Sequence, residues 1–174
     1  RALVYKITQQ MDEDFKKAVA VLRLSIPYAG LIVTCREQPE MIRQVIPMCT
    51  QRDASSRIGI GAYTQSVAGQ QEKKQQFILG DTRSLDEVIR ELASMGYITS
   101  FCTAGYRCGR TGKKIMTLLR TGQEGCFCKL NAILTFQEWL EDFASDETRA
   151  LGEKIIRKEI DEVKARTPAY FTPV

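Results

Sequence analysis

The sequence predicts an α/β fold: a few parallel βα units over residues 1–101, followed by a helical extension with a cysteine-rich loop over residues 102–174. Three observations carry this. Short β-branched apolar runs alternate with amphipathic stretches as far as Cys102. The clearest of those runs is apolar on both alternating faces, as a parallel strand covered by helices requires. Beyond Cys102 the alternation gives way to Gly-, Arg- and Cys-rich loops and further helical stretches.

The elements follow in order. Phe15, Val19 and Leu22, with Ala18 and Val21, recur at helical spacing after Asp12, a residue type that caps helix starts, so a helix is expected over 12–24. Ala29 to Cys35 is the two-faced apolar strand. Pro39 suits a first helical turn and introduces Met41, Ile42, Val45 and Ile46 on one face, after which Arg57 to Ala62 reads as a glycine-containing strand or loop. Tyr63 to Gln76 holds five glutamines and no periodicity, which predicts a loop. Ser84-Leu85-Asp86-Glu87 is a capping box opening a helix that Gly96 stops, before an expected strand over Tyr97 to Cys102. A short helix is expected over 114–120. Thr135-Phe136-Gln137-Glu138 reads as a second capping box, and Leu151, Ile155, Ile156, Ile160 and Val163 form one stripe on a long final helix. Phe136, Trp139 and Phe143, three and four residues apart, are expected to pack into a core.

The 174 residues, 44% hydrophobic and 26% charged, suit a globular chain with a sizeable core. No window reaches the roughly 20 apolar residues that span a bilayer, and the opening Arg1 to Lys6 is not a signal peptide, so neither membrane nor export is expected. The net charge of +4 comes from interspersed charges without a basic run, so nucleic acid is not an expected partner. The chain has no histidine, which excludes His-based triads and classical zinc fingers and leaves sulfur or oxygen to hold any metal.

Four of the six cysteines, Cys102, Cys108, Cys126 and Cys128, fall within a short Gly-, Thr- and Arg-rich stretch where even scattering would put about one. The bland readings are buried inert thiols, which suit such a polar setting poorly, or a disulfide; with no histidine, the sulfur-only metal readings are an all-cysteine zinc site or an iron-sulfur cluster. The spacings C-x5-C and C-x-C fit neither a zinc ribbon nor a ferredoxin run, so spacing leaves the metal undecided.

The segment Ser100-Phe101-Cys102-Thr103-Ala104-Gly105-Tyr106-Arg107-Cys108-Gly109-Arg110-Thr111-Gly112, with Phe127-Cys128 and Asn131 to Phe136, closely resembles the C-terminal region of the HydG family of radical S-adenosylmethionine tyrosine lyases, maturases of FeFe hydrogenase. The resemblance runs over most of the chain in the same order, through Thr34 to Glu40, Gly80 to Ser84, Ala93 to Tyr97, Asp146 to Arg149 and Leu151 to Glu153. The thiazole-pathway tyrosine lyases of the ThiH type share the plan but match the cysteine loop less closely. The resemblance implies the C-terminal half of a (βα)8 barrel followed by an extension that carries a second 4Fe-4S cluster on C-x2-C-x22-C. That motif falls on Cys102, position 105 and Cys128, and position 105 is Gly. Cys108 or Cys126 would have to substitute, or the cluster is different or lost.

The C-x3-C-x2-C loop that cleaves S-adenosylmethionine in this family is missing, so the chain alone is not expected to be active. Together with a first residue that is Arg rather than Met, this reads as a fragment of a longer protein. Such a half-barrel exposes sheet edges, and is expected to need its other half or a second copy of itself. The implied reaction of the whole protein cleaves tyrosine to p-cresol and dehydroglycine and yields CO and cyanide for hydrogenase assembly. Tyrosine, other maturation proteins and a cytoplasmic or hydrogen-producing-organelle location follow from the same resemblance. The rival is a non-catalytic metal or interaction module that kept the fold.

Arg36 stands just past the strand ending at Cys35, at the strand end where barrel sites are built, and an arginine there can clamp a carboxylate. By resemblance it contacts the amino-acid substrate; the alternative is a solvated arginine beside Glu37 and Glu40. Asp53 and Ser56 either face the same cavity or make loop hydrogen bonds. Arg107 and Arg110 flank the cysteines, where positive charge would favour thiolates and an anionic cluster, unless they are a surface pair.

Overall fold

The structure is a computed structural model that describes residues 2–54, 79–101, 112–121 and 125–166. It is mostly helical, with a two-stranded parallel sheet, and forms two compact units, Arg1–Ser84 and Leu85–Val174.

In the first unit α1 (Ala2–Ser25) is twice as long as its apolar repeat, so Asp12 lies inside the helix rather than at its cap. Only part of the expected stripe packs. Val19 is buried and Phe15 lies against the core, whereas Ala18, Val21 and Leu22 are exposed. β1 (Ile32–Val33), α2 (Pro39–Val45) and β2 (Gln51–Arg52) form a βαβ unit, Ile32 pairing with Gln51 and Val33 with Arg52 in parallel. Pro39 opens α2 as its fixed φ favours, and Met41, Ile42 and Val45 turn inward onto Val19 and Val33. Arg23 ties the end of α1 to the unit, its Nε donating to the Met48 carbonyl at 2.7 Å and its Nη1 to those of Pro27 and Ala29 at 3.0 and 2.9 Å.

The pairing is parallel as expected, but only one face of β1 is covered, Val33 being buried and Ile32 exposed, and β2 begins at Gln51, ahead of the expected 57–62 segment, which lies outside the described residues together with the glutamine stretch. Among the described residues the sheet has two strands and closes no barrel. Tyr97 to Phe101 form no strand, because a strand needs a neighbouring edge and none is paired with them among the described residues.

In the second unit α3 (Leu85–Ser94) and α5 (Gly125–Phe143) both pack on α6 (Asp146–Arg166). A further helix, α4 (Gly112–Arg120), covers the expected 114–120. Gly96 ends the α3 segment at φ +87°, a conformation that favours glycine. The core joins Ile89 of α3 to Ile133, Phe136, Trp139 and Leu140 of α5 and to Ile156 and Val163 of α6. Gly152 lets the last two helices approach: a Cβ there would stand 2.5 Å from Leu140 Cδ1.

The start of α6 is capped twice. Ser145 Oγ accepts from Thr148 N at 3.4 Å, and Asp86 of α3 accepts from Ser145 N, Ser145 Oγ and Thr148 Oγ1 at 3.0, 2.8 and 3.0 Å. Burial would raise the Asp86 carboxyl, but these donors and Arg90 hold it below the ordinary range.

Two expectations on α5 are corrected. The helix starts at Gly125, so Thr135 is interior and not a cap; its Oγ1 instead donates back to the Asn131 carbonyl at 2.9 Å. Phe136 and Trp139 are buried, but Phe143 is 71% exposed, because the apolar face continues to the end of α5 beyond the core it packs against.

Candidate functional site

The ends of β1 and β2 converge with residues 79–81 on a polar cluster. Past Val33 the chain reaches Cys35, whose carbonyl accepts from both Gly80 N and Asp81 N at 2.9 Å. The Cys35 N–H donates to Asp53 Oδ1 at 2.6 Å and its thiol to Asp53 Oδ2 at 3.3 Å. Asp53 thus fastens the two strand ends together, which is the loop hydrogen bond weighed in the sequence. Arg36 is exposed on the turn after β1, and Ser56 lies outside the described residues.

Beneath this turn lies an ion-pair triad that sequence reasoning missed. Asp81 Oδ2 receives Arg52 Nη2 at 2.8 Å and Arg83 Nη2 at 2.7 Å, while Arg83 Nε and N reach Oδ1 at 3.0 and 3.1 Å. The Asp81 side chain is 1% exposed and that of Arg52 5%. The Arg83 hydrogen bonds, against the opposing effect of burial and with help from Arg52, hold the Asp81 carboxyl far below the ordinary carboxylate range. Nothing local signals the triad, since its members are 29 and 2 residues apart and only the topology joins them.

Gly80 fits this corner because it has no side chain. A Cβ would stand 2.5 Å from the Glu37 carbonyl carbon and oxygen and 2.6 Å from the Arg36 oxygen, all backbone. Gly80→Ala is therefore expected to destabilise the chain by about 1–3 kcal/mol through overpacking, read as a lower urea midpoint. An unchanged midpoint would mean that the turn yields freely.

Of the expected cluster residues, Cys102, Cys108, Arg107 and Arg110 lie outside the described residues. Cys126 and Cys128 fall in the first turn of α5, and Cys128 is half-buried. Among the described residues no group of three acidic or sulfur side chains could hold a metal ion. Next to Cys128, Lys129 Nζ lies between two α6 carboxylates, 2.5 Å from Glu159 Oε2 and 2.6 Å from Glu162 Oε2. Burial pulls the Lys129 amine down, and the two carboxylates more than reverse it, so it stands above the ordinary lysine value. The sequence signal for this contact is the pair of acids one turn apart on the final helix.

Residues 6–98, more than half of the chain, match the Biotin and Thiamin Synthesis associated domain. The chain belongs to that domain family. No curated protein matches it. A crystal structure of HydG, a maturase of the FeFe-hydrogenase, is similar to this Biotin and Thiamin Synthesis associated domain protein with a TM-score of 0.79 and 43% identity, over 90% of this chain and 33% of that one. The resemblance to HydG read from the sequence therefore stands, and the chain is a relative of the HydG and ThiH type of radical S-adenosylmethionine protein. It spans a third of the length of the HydG chain it matches. Among the described residues no helix is long and apolar enough to cross a membrane.

Proposed function

We propose that this chain is the C-terminal part of a HydG-like tyrosine lyase: the second half of a (βα)8 barrel over residues 1–101 and, over 102–174, the seat of an auxiliary 4Fe-4S cluster. The observation that carries the reading is the 43% identity to HydG over 90% of the chain. The βαβ unit supports the barrel half, because parallel strands joined through α2 are its repeating element.

The donor chemistry fits a cluster. Cys102 and Cys128 match the family's ligands, and further thiols stand at Cys108 and Cys126. When bound, a cluster held by three thiolates offers an open iron corner to a non-protein ligand. Positions 126 and 128 of α5 are about 200° apart around a helix, so they do not share a face, which favours Cys108 as the substitute for Gly105. Arg107 and Arg110 flank these cysteines and supply positive charge. Arg36 would clamp the substrate carboxylate at the strand ends, with Asp53 acting through the Cys35 backbone and Ser56, three residues further along the sequence, as a further candidate.

Cleavage of tyrosine to p-cresol and dehydroglycine, with CO and cyanide formed downstream, belongs to the whole protein. There the N-terminal barrel half supplies the S-adenosylmethionine site, other hydrogenase maturation proteins are the partners, and the setting is cytoplasm or a hydrogen-producing organelle. Gly at 105 favours a second reading, a metal or interaction module without the cluster.

Cysteine variants separate the two. In anaerobically reconstituted protein, Cys102→Ser and Cys128→Ser should each abolish iron binding, and Cys108→Ser should do so while Cys126→Ser is near neutral. Loss from neither Cys102→Ser nor Cys128→Ser would remove the family ligand set from this chain. A folded Gly105→Cys protein that gains no iron over a starting chain that binds none would favour the module.

A further inference from the structure

We propose that Lys129, held between Glu159 and Glu162 of α6, is a positioning residue that fixes the first turn of α5 and so places the Cys128 sulfur for the iron-sulfur group; this rests on the cluster site proposed above. The first turn of a helix lacks intrahelical partners for its leading N–H groups and frays unless something holds it. Cys128 closes that turn, and among the described side chains of α5 the buried ones start at Ala132 and Ile133. Between them stand Lys129, Leu130, which is partly buried on the core, and the half-buried Asn131.

The Lys129 contact is directional, whereas apolar packing alone lets a helix rotate or slide. Its ammonium bridges two acids a turn apart on α6, and the Glu159 side chain is only 9% exposed against 38% for Glu162. Glu159 is thus a carboxylate taken out of water beside the Lys129 ammonium. Such a buried pair adds little net stability over an apolar isostere but specifies register. Register is what a ligand at the adjacent position needs, because a sulfur displaced by an ångström no longer completes a shared site. Glu162, 38% exposed and also acted on by Lys158 and Arg166, is the wetter half of the clamp.

The test uses the 174-residue chain reconstituted anaerobically with iron and sulfide, then challenged with a ferrous chelator. Lys129→Met keeps the length of the side chain and removes the charge. Iron should leave it about tenfold faster or more than from the unmodified chain, at a temperature where both show the same helical circular dichroism. The electron paramagnetic resonance spectrum of the reduced cluster should change as well, and Lys129→Arg should restore both. Glu162→Gln alters the exposed acid, does not endanger folding, and should accelerate iron loss by a smaller factor. Iron loss from Lys129→Met and Glu162→Gln at the unmodified rate, with unchanged spectra, overturns the proposal while leaving the cluster in place. So does a Lys129→Arg protein as defective as Lys129→Met. An unmodified chain that takes up no iron overturns the cluster reading and this inference together.

Discussion

Asp81→Asn is expected to lower the stability of the chain by about 3–5 kcal/mol, because it breaks a buried ion pair by removing one partner only. The amide keeps the shape of the carboxylate, but Arg52, with a side chain 5% exposed, then loses the carboxylate charge that faces it at 2.8 Å. Arg83 is 24% exposed and can turn toward solvent, so the cost falls mainly on Arg52. Replacing both Arg52 and Asp81 by Leu should recover most of the loss, since it removes the buried positive charge along with the carboxylate. The pH dependence has a definite sign. The folded carboxyl titrates below its unfolded value near ~3.9, so its contribution is complete above about pH 5 and is lost as the pH falls through the folded value. The urea midpoints of the chain and of Asp81→Asn should therefore differ widely at neutral pH and draw together in acid. A neutral-pH difference below about 1 kcal/mol, or one that grows in acid, would show that the triad does not hold the strand ends.

Phe136→Ala should cost a similar amount, about 3–5 kcal/mol, by opening a cavity in the second unit. Phe136 is fully buried among Ile89, Ile133, Leu140 and Ile156 and stacks on Trp139 with ring centroids 6.5 Å apart. Phe101 flanks the other partner of that stack, 5.7 Å from Trp139. Trp139 is the single tryptophan, so its emission reports the site directly. The variant should show red-shifted emission before any urea is added and a lower midpoint. An unshifted spectrum with a loss below about 1 kcal/mol would mean that the three-helix core is not packed as described.

How much of this was legible follows from the range of each signal. Helix starts at Pro39 and Leu85 and the stripe of the last helix were readable because propensity, capping and periodicity act within a few residues. The box at Thr135 misled because the same four letters occur inside a helix whose preceding turn, from Gly125, is already formed; the hydroxyl then bonds backward. Phe143 misled because periodicity defines a face and not what covers it. Strand extent was overstated at both Ala29 to Cys35 and Tyr97 to Cys102, since a ladder depends on partners far along the chain. For the same reason Arg52, Asp81 and Arg83 gave no warning of their triad, whereas Asp53, weighed as a loop hydrogen bond, was readable as a group near a strand end. Lys129 is intermediate: a cation beside a cysteine and two acids one turn apart were visible, but only helix packing brings them together.

The most direct test of the account is the iron and sulfide content of the unmodified chain. After anaerobic reconstitution and desalting, about four irons and four sulfides per chain, with broad visible absorption, are predicted for a cluster held by Cys102, Cys128 and a third thiolate. Colourless protein that retains essentially no sulfide, or that carries stoichiometric zinc instead, would contradict it.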